Sequence, residues 1–152
     1  MEVNRRKIIY LFLIIIWMII VFAFSNQPAD ISSKTSGGIT EKVVKAITKD
    51  DKKISKRKRD IVEIIVRKCA HFVLYAIGGF LIANYINTTN VQDKRIILYT
   101  IVYTLIYAIT DEIHQFFVEG RSSELRDIII DTAGGSFGTI LFIALKGFLR
   151  RK

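Results

Sequence analysis

"IIYLFLIIIWMIIVFAF", residues 8–24, runs for seventeen residues without a charge, a glycine or a proline. As a helix it spans about 26 Å at ~1.5 Å per residue, close to the ~30 Å hydrocarbon core of a bilayer. It is too long for a strand and shows neither alternation nor turn residues. Three further apolar blocks follow, at 70–87, 96–118 and 128–149. In lipid, backbone polar groups must be satisfied within the segment itself, which helices achieve.

The chain has 152 residues, 51% hydrophobic, a mean hydropathy of +0.33 and one proline. It reads as an all-α integral membrane protein: a four-transmembrane-helix bundle with a polar pocket at one membrane face. A basic, partly helical first loop covers 25–69, and residues 1–152 form a single membrane domain. Arg5, Arg6 and Lys7 would also open a secretory signal, with Val21-Phe22-Ala23 as its cleavage site. The apolar core is long for such a signal, so the block reads as a retained helix. Cys69, the one cysteine, cannot form an internal disulfide.

Four crossings place both termini on one side, with the 25–69 and 119–127 loops opposite. Nine Lys and Arg lie on the terminal side and fourteen on the other, twelve of them in the first loop. A plain count favours termini outside. The first helix usually dominates, however, and Arg5-Arg6-Lys7 abuts it, so the expectation is cytoplasmic termini. Within the first loop, 25–38 is small, polar and turn-rich. Ile39, Val43, Val44 and Ile47 then recur at helical spacing, predicting a short amphipathic helix. "KDDKKISKRKR" (49–59) follows with seven basic residues against two acidic ones. Such a run is either a solvated face or a partner for anionic lipid headgroups. It carries no stacking aromatics, so no nucleic acid is expected.

Ionisable residues in or beside membrane helices are costly, so their placement is informative. Ser25, Asn26 and Gln27 end the first apolar block, while Arg67, Lys68 and His71 open the second. Asp111 to Arg121 end the third, and Asp127 and Asp131 open the fourth. All four groups fall at one membrane face whichever way the chain is inserted. Asp111, His114 and Gln115 stand at i, i+3 and i+4, on one helix face. Asp127 and Asp131 are four apart, as are Arg67 and His71, and His71 and Tyr75. Glu112 points about 100° away from Asp111, towards a neighbouring helix or the rim. Gly78-Gly79 and the Gly134-x-x-x-Gly138 spacing permit close helix approach.

These residues carry a family resemblance. "FSNQ" (24–27), "RKCAHFVLY" (67–75), "YAITDEIHQFFVEGR" (107–121) and "RDIIIDTAGGSFG" (126–138) resemble, in order, the motifs of the VanZ-like membrane proteins. The chain departs at Asn26, Leu74 and Glu119, where members often carry serine, glutamate and proline. The resemblance implies a multi-pass bacterial plasma-membrane protein of the class named for low-level teicoplanin resistance. It supplies a context, not a reaction.

Three uses of the polar set stand side by side. As an enzyme, Asp111 or Glu112 would act as base with His114 as partner, on an envelope lipid or glycolipid headgroup. His71, by itself a capping or packing residue, joins them as a fourth catalytic candidate. Arg67, Lys68 and Arg121 would hold a phosphate or carboxylate, with Gln27, Tyr75, Gln115, Asp127 and Asp131 completing the substrate site. As a binding protein, the same residues would anchor a lipid-linked precursor or a drug without chemistry. As structure, they would form an ion-pair network tying helix ends together. Membrane lipids, anionic or lipid-linked, are the expected partners, with a homo-oligomer as a further state. The cofactor is left open. The two histidines and several carboxylates could ligate zinc or manganese, but no metal site is assigned, because "DEIHQ" lacks the H-E-x-x-H spacing and no Cys/His cluster exists.

Overall fold

The computed structural model describes residues 2–47 and 55–151. They form five helices: α1 (Glu2–Ser25), α2 (Ala29–Ile47), α3 (Lys56–Asn87), α4 (Asp93–Phe116) and α5 (Leu125–Leu149), with no strand among the described residues. Four of these, α1, α3, α4 and α5, are long and apolar enough to cross a membrane. The fifth, α2, packs on α3.

The helices run past the apolar blocks that announced them. The second block was expected to start a helix at residue 70, whereas α3 begins at Lys56. A helix ends where backbone hydrogen bonding ends, not where hydropathy falls, and 56–69 holds good helix formers around Ile61, Val62, Ile64, Ile65 and Val66. At ~1.5 Å per residue, α3 is about 48 Å long, more than the ~30 Å core, so it tilts or projects beyond it. Likewise the amphipathic helix expected around 39–47 starts at Ala29, just after Pro28. Val44 and Thr40 are its buried positions. Residues 49–54 of the basic run lie outside the described residues, and Ser55 to Arg59 lead into α3.

In lipid there is little hydrophobic drive between helices, so close packing has to hold the bundle. The most extensive helix pair is α3–α5, and glycine makes it possible. A Cβ on Gly79 would collide with the backbone of Gly135, one on Gly134 with the Phe72 carbonyl, and one on Gly138 with the Ala76 carbonyl. Thr104 of α4 presses on the same stripe, its Cγ2 2.7 Å from where a Gly135 Cβ would stand. α4 buries Thr100, Thr104, Ala108, Asp111 and Gln115 along one face, at intervals of three or four residues. The hydroxyls of Thr100, Thr104 and Thr139 donate to carbonyls four residues back in their own helices, at 2.8–2.9 Å. These bonds satisfy the buried hydroxyls within their own helices, without cross-helix partners.

α1 buries a single line, Ile14, Trp17, Val21 and Ser25, and exposes most of its remaining large apolar side chains. Trp17 is its anchor. The indole N–H donates to the Leu74 carbonyl at 2.8 Å, and the ring meets Tyr75 edge-on at 5.7 Å. It sits directly over Gly78, where any side chain would overlap it. Tyr107 of α4 donates to the Met18 carbonyl at 2.8 Å and completes the three-helix contact. At the far end of the bundle, Lys146 of α5 pairs with Asp93 of α4 at 2.5 Å.

Gly138 and Gly147 give a matched test of this packing, since nothing lies within 4 Å of a Cβ on Gly147. Gly138→Ala is expected to cost at least about 1–3 kcal/mol through overpacking. Gly147→Ala is expected to leave stability unchanged or slightly raised. Thermal unfolding of both variants in detergent checks the pair.

Candidate functional site

The end of the bundle opposite Lys146 is built around a turn. The 117–124 segment leaves α4, reverses at Gly120 and enters α5. Gly120 has φ +73, a left-handed conformation that glycine adopts without strain. Arg121 follows and binds three segments together. Its Nε donates to the Gln27 carbonyl at 2.9 Å, Nη2 to the Phe24 carbonyl at 3.0 Å, and Nη1 to Gln115 Oε1 at 3.1 Å. Ala29 N–H donates to the Glu119 carbonyl at 3.3 Å. The end of α1, the start of α2 and the α4–α5 turn thus form one platform.

Beneath it, Gln115 Nε2 donates to Asp111 Oδ2 at 2.9 Å and approaches Ser25 Oγ at 3.4 Å. Asp111 and Gln115 therefore share a buried face, as their spacing of four requires. His114 is on the α1 side of that helix. Its ring stacks on Phe22 at 4.4 Å and 28°, and its buried Nε2 has no hydrogen-bond partner. Glu112 turns toward the α5 entrance, where Oε2 accepts the Glu124 backbone N–H at 2.7 Å. Glu112 is 1% exposed, and its Oε1 is unpartnered.

Lys68 of α3 pairs with Asp127 and, at 3.4 Å, with Glu124, clamping α3 to the first turn of α5. One turn deeper, His71 Nδ1 lies 3.6 Å from Asp131 Oδ1, beyond hydrogen-bond distance. Asp131 is 0% exposed, and neither of its oxygens has a hydrogen-bond partner. The Tyr75 hydroxyl below is equally buried and unpartnered. His71, Asp111 and Asp131, one each from α3, α4 and α5, offer ligand atoms that all lie within 4.8 Å of one another. Among the described residues, these three are placed to hold a metal ion together.

Two cavities meet at His71. A small one of about 60 Å³ is polar, lined by Arg67, Lys68, His71, Gln115, Arg121 and Asp127 among others. A larger one of about 250 Å³ runs between the end of α1, α2 and α3. Its walls are mostly apolar, including Phe24, Ile39, Val66, Ala70 and Leu74, with Gln27 along the edge. Arg67, His71 and Arg121 line both. Arg67 is half-buried and makes no ion pair or hydrogen bond among the described residues. Burial pushes the Arg121 guanidinium below its ordinary value, the neighbouring Arg67 charge adds to this, and the carboxylates of Asp111, Glu112 and Asp127 oppose it.

The twelve residues singled out from the sequence all lie at this end, but in separate roles. His71, Asp111 and Asp131 converge, Tyr75 forms their floor, and Gln115 and Arg121 stand above. Gln27 contributes its carbonyl to Arg121. Lys68 and Asp127 neutralise each other, Arg67 remains unpaired, and Glu112 and His114 face away from the convergent trio. Sequence reasoning missed Glu124, whose carboxylate accepts from Lys68 and whose backbone N–H donates to Glu112. Its signal was modest, a polar residue immediately before an apolar run. Phe22 and Trp17 were hidden inside a uniformly apolar block.

A family model described as VanZ/LLP1 matches residues 10–146, nearly the whole chain. No curated protein and no solved structure matches it.

Glu112 supports the turn that carries Arg121. Its replacement by alanine is expected to cost about 1–3 kcal/mol by orphaning the Glu124 N–H. A lower unfolding temperature and faster proteolysis within 117–124 check this. Exposed Arg126→Ala is the control, expected within about 0.5 kcal/mol of wild type.

Proposed function

The chain belongs to the VanZ/LLP1 family, and from that membership and the geometry above we propose that it binds the anionic headgroup of a cell-envelope lipid or lipid-linked precursor. The observation that carries this reading is Arg67. An unpaired guanidinium stands near a second one, Arg121, at the junction of a polar cavity and an apolar groove. Like charges side by side repel, and an anion between them relieves the repulsion. The free planar fork of Arg67 suits a phosphate in particular, with the remaining N–H groups and the charge of Arg121 beside it. The groove past Phe24, Val66, Ala70 and Leu74 gives an acyl chain an apolar path away from the headgroup.

In this reading Arg67 and Arg121 hold the headgroup, Gln27 and Gln115 fix Arg121, and the Lys68–Asp127 pair closes the opposite wall. Chemistry on the bound headgroup is a second reading, favoured by the donor-free oxygens of Asp131 beside His71 and Asp111. Acid–base work then falls to that trio, with Glu112 and His114 in support of the turn and of α1. The termini are assigned to the cytoplasm, so the site faces the outer leaflet of a bacterial plasma membrane. A contribution to teicoplanin and other glycopeptide resistance is the cellular consequence of engaging an envelope lipid there.

Lipid retained by protein purified in mild detergent tests the binding. Wild type is expected to keep an anionic lipid. Arg67→Ala is expected to keep it about tenfold to a hundredfold less well, matching ~1.5–3 kcal/mol for a charged hydrogen bond. Equal retention by both would contradict the reading. Lipid extracts from cells carrying wild type or Asp111→Asn separate chemistry from binding, since a species changed only by wild type assigns a reaction. For sidedness, an impermeant maleimide on intact cells is expected to label Ser123→Cys and not Asn90→Cys, both in a Cys69→Ser background. The reverse pattern places the site at the inner leaflet.

A further inference from the structure

The trio beneath the arginines raises a question that lipid binding leaves unanswered: what neutralises it. Asp131 is fully buried, both of its oxygens lack donors, and its nearest basic atom is His71 Nδ1 at 3.6 Å. Asp111, 4% exposed, brings a second carboxylate to the same point. Two of the other cations of this end are engaged elsewhere, and the third, Arg67, stands at the junction of the two cavities. Lys68 is taken by Asp127 and Glu124, and Arg121 by Gln115 and two carbonyls. Protonated, His71 gives the trio one positive charge against two carboxylates, and buried carboxylates short of donors and counter-charge are costly enough that natural sites supply more.

We propose that His71, Asp111 and Asp131 bind a divalent first-row metal ion of the Zn²⁺ or Mn²⁺ kind. Such an ion cancels two carboxylate charges at once and takes the neutral imidazole as its third ligand. The spacing agrees. Two ligand atoms bound at ~2.0–2.2 Å in a tetrahedral arrangement stand about 3.4 Å apart, near the 3.6 Å between His71 Nδ1 and Asp131 Oδ1. All three donor atoms lie within 4.8 Å of one another, so small side-chain rotations close the set. One nitrogen and two carboxylate oxygens without a thiolate suit zinc, manganese or ferrous iron better than copper(I) or an iron–sulfur cluster.

The surroundings support the donors as metal sites do. Gln115 Nε2 holds Asp111 Oδ2 at 2.9 Å, which leaves Oδ1 to the ion, and Gln115 is itself fixed by Arg121. Such outer partners fix the ligands and usually account for tenfold to a hundredfold in affinity, on the order seen across metal sites. The buried Tyr75 hydroxyl stands unpartnered one turn from His71 on the same helix face. Of the three, His71 also lines the polar cavity beneath Arg67 and Arg121, so an ion held beside it would have that space on its open side. Three protein ligands and an open position are the arrangement in which zinc acts as a Lewis acid on a bound oxygen. The site stands on the cluster alone and not on the lipid reading.

The test uses the full chain in detergent, stripped with a chelator and then freed of it. Zn²⁺ is titrated by calorimetry, and Mn²⁺ by the loss of its free-ion electron paramagnetic resonance signal. Wild type is expected to saturate at one ion per chain, and Cys69→Ser to do the same, which excludes the exposed thiol as the ligand. Asp131→Asn and His71→Ala are expected to lose saturable binding, and Gln115→Leu to weaken it by about tenfold to a hundredfold. If one ligand variant fails to fold, the other and Gln115→Leu decide the result. Arg67→Ala, which leaves the ligands intact, is expected to bind metal as wild type does, so the metal and lipid readings fail separately. No saturable uptake by folded wild type, or undiminished uptake by Asp131→Asn, would overturn the proposal.

Discussion

Backbone-to-backbone contact between α3 and α5 is the constraint on which the rest of the molecule depends. Gly79 and Gly135 leave no room for a side chain between the helices, and Gly134 and Gly138 repeat the contact on either side. In lipid such a seam replaces the hydrophobic drive that water gives a soluble bundle. Its register has a chemical result. Phe72 faces Gly134, so the preceding residue, His71, arrives beside Asp131 one helical turn from the glycine. The α4 helix closes on the same seam through Thr104 and brings Asp111 to the same depth.

The polar end then divides into two kinds of contact. One kind is satisfied: Lys68 with Asp127, Arg121 with Gln115 and the α1 carbonyls, and Glu112 with the α5 entrance. These tie helix ends together and shape the Gly120 turn. The other kind is unsatisfied: Asp131, the Tyr75 hydroxyl, His71 Nδ1 and the unpaired Arg67, with Glu112 Oε1 and His114 Nε2 outside the trio. A structural network places donors against acceptors, so groups left over at such burial mark the part of the site meant for something else. The leftover cation lies at the rim and the leftover anions lie beneath it. That order fits a headgroup resting on arginine above a divalent ion.

Much of this was legible in the sequence, for identifiable reasons. Apolar block length announces a membrane span, and helical spacing announces a face, so four spans and one polar end could be read directly. Glu112 did point away from Asp111, as a 100° step requires, and reached the neighbouring α5 entrance. Helix ends were less legible, because hydropathy stops at the membrane while helical hydrogen bonding continues, as in α3 from Lys56. Periodicity also names a face without naming the neighbour. His114 shares a helical stripe with Asp111 and Gln115, yet Phe22 of α1 claims it. The convergence of His71, Asp111 and Asp131 depends on how three helices pack, which no local spacing contains.

The central claim is that Asp131 is held for a ligand and not as half of a structural ion pair with His71. The unfolding temperature of chelator-treated Asp131→Asn, compared with wild type in the same detergent, tests this most directly. A residue that burdens the fold should be removable without loss, so the account predicts an unchanged or higher temperature. A structural ion pair would instead lose about 3–5 kcal/mol when one partner is removed. A marked fall in unfolding temperature would contradict the account.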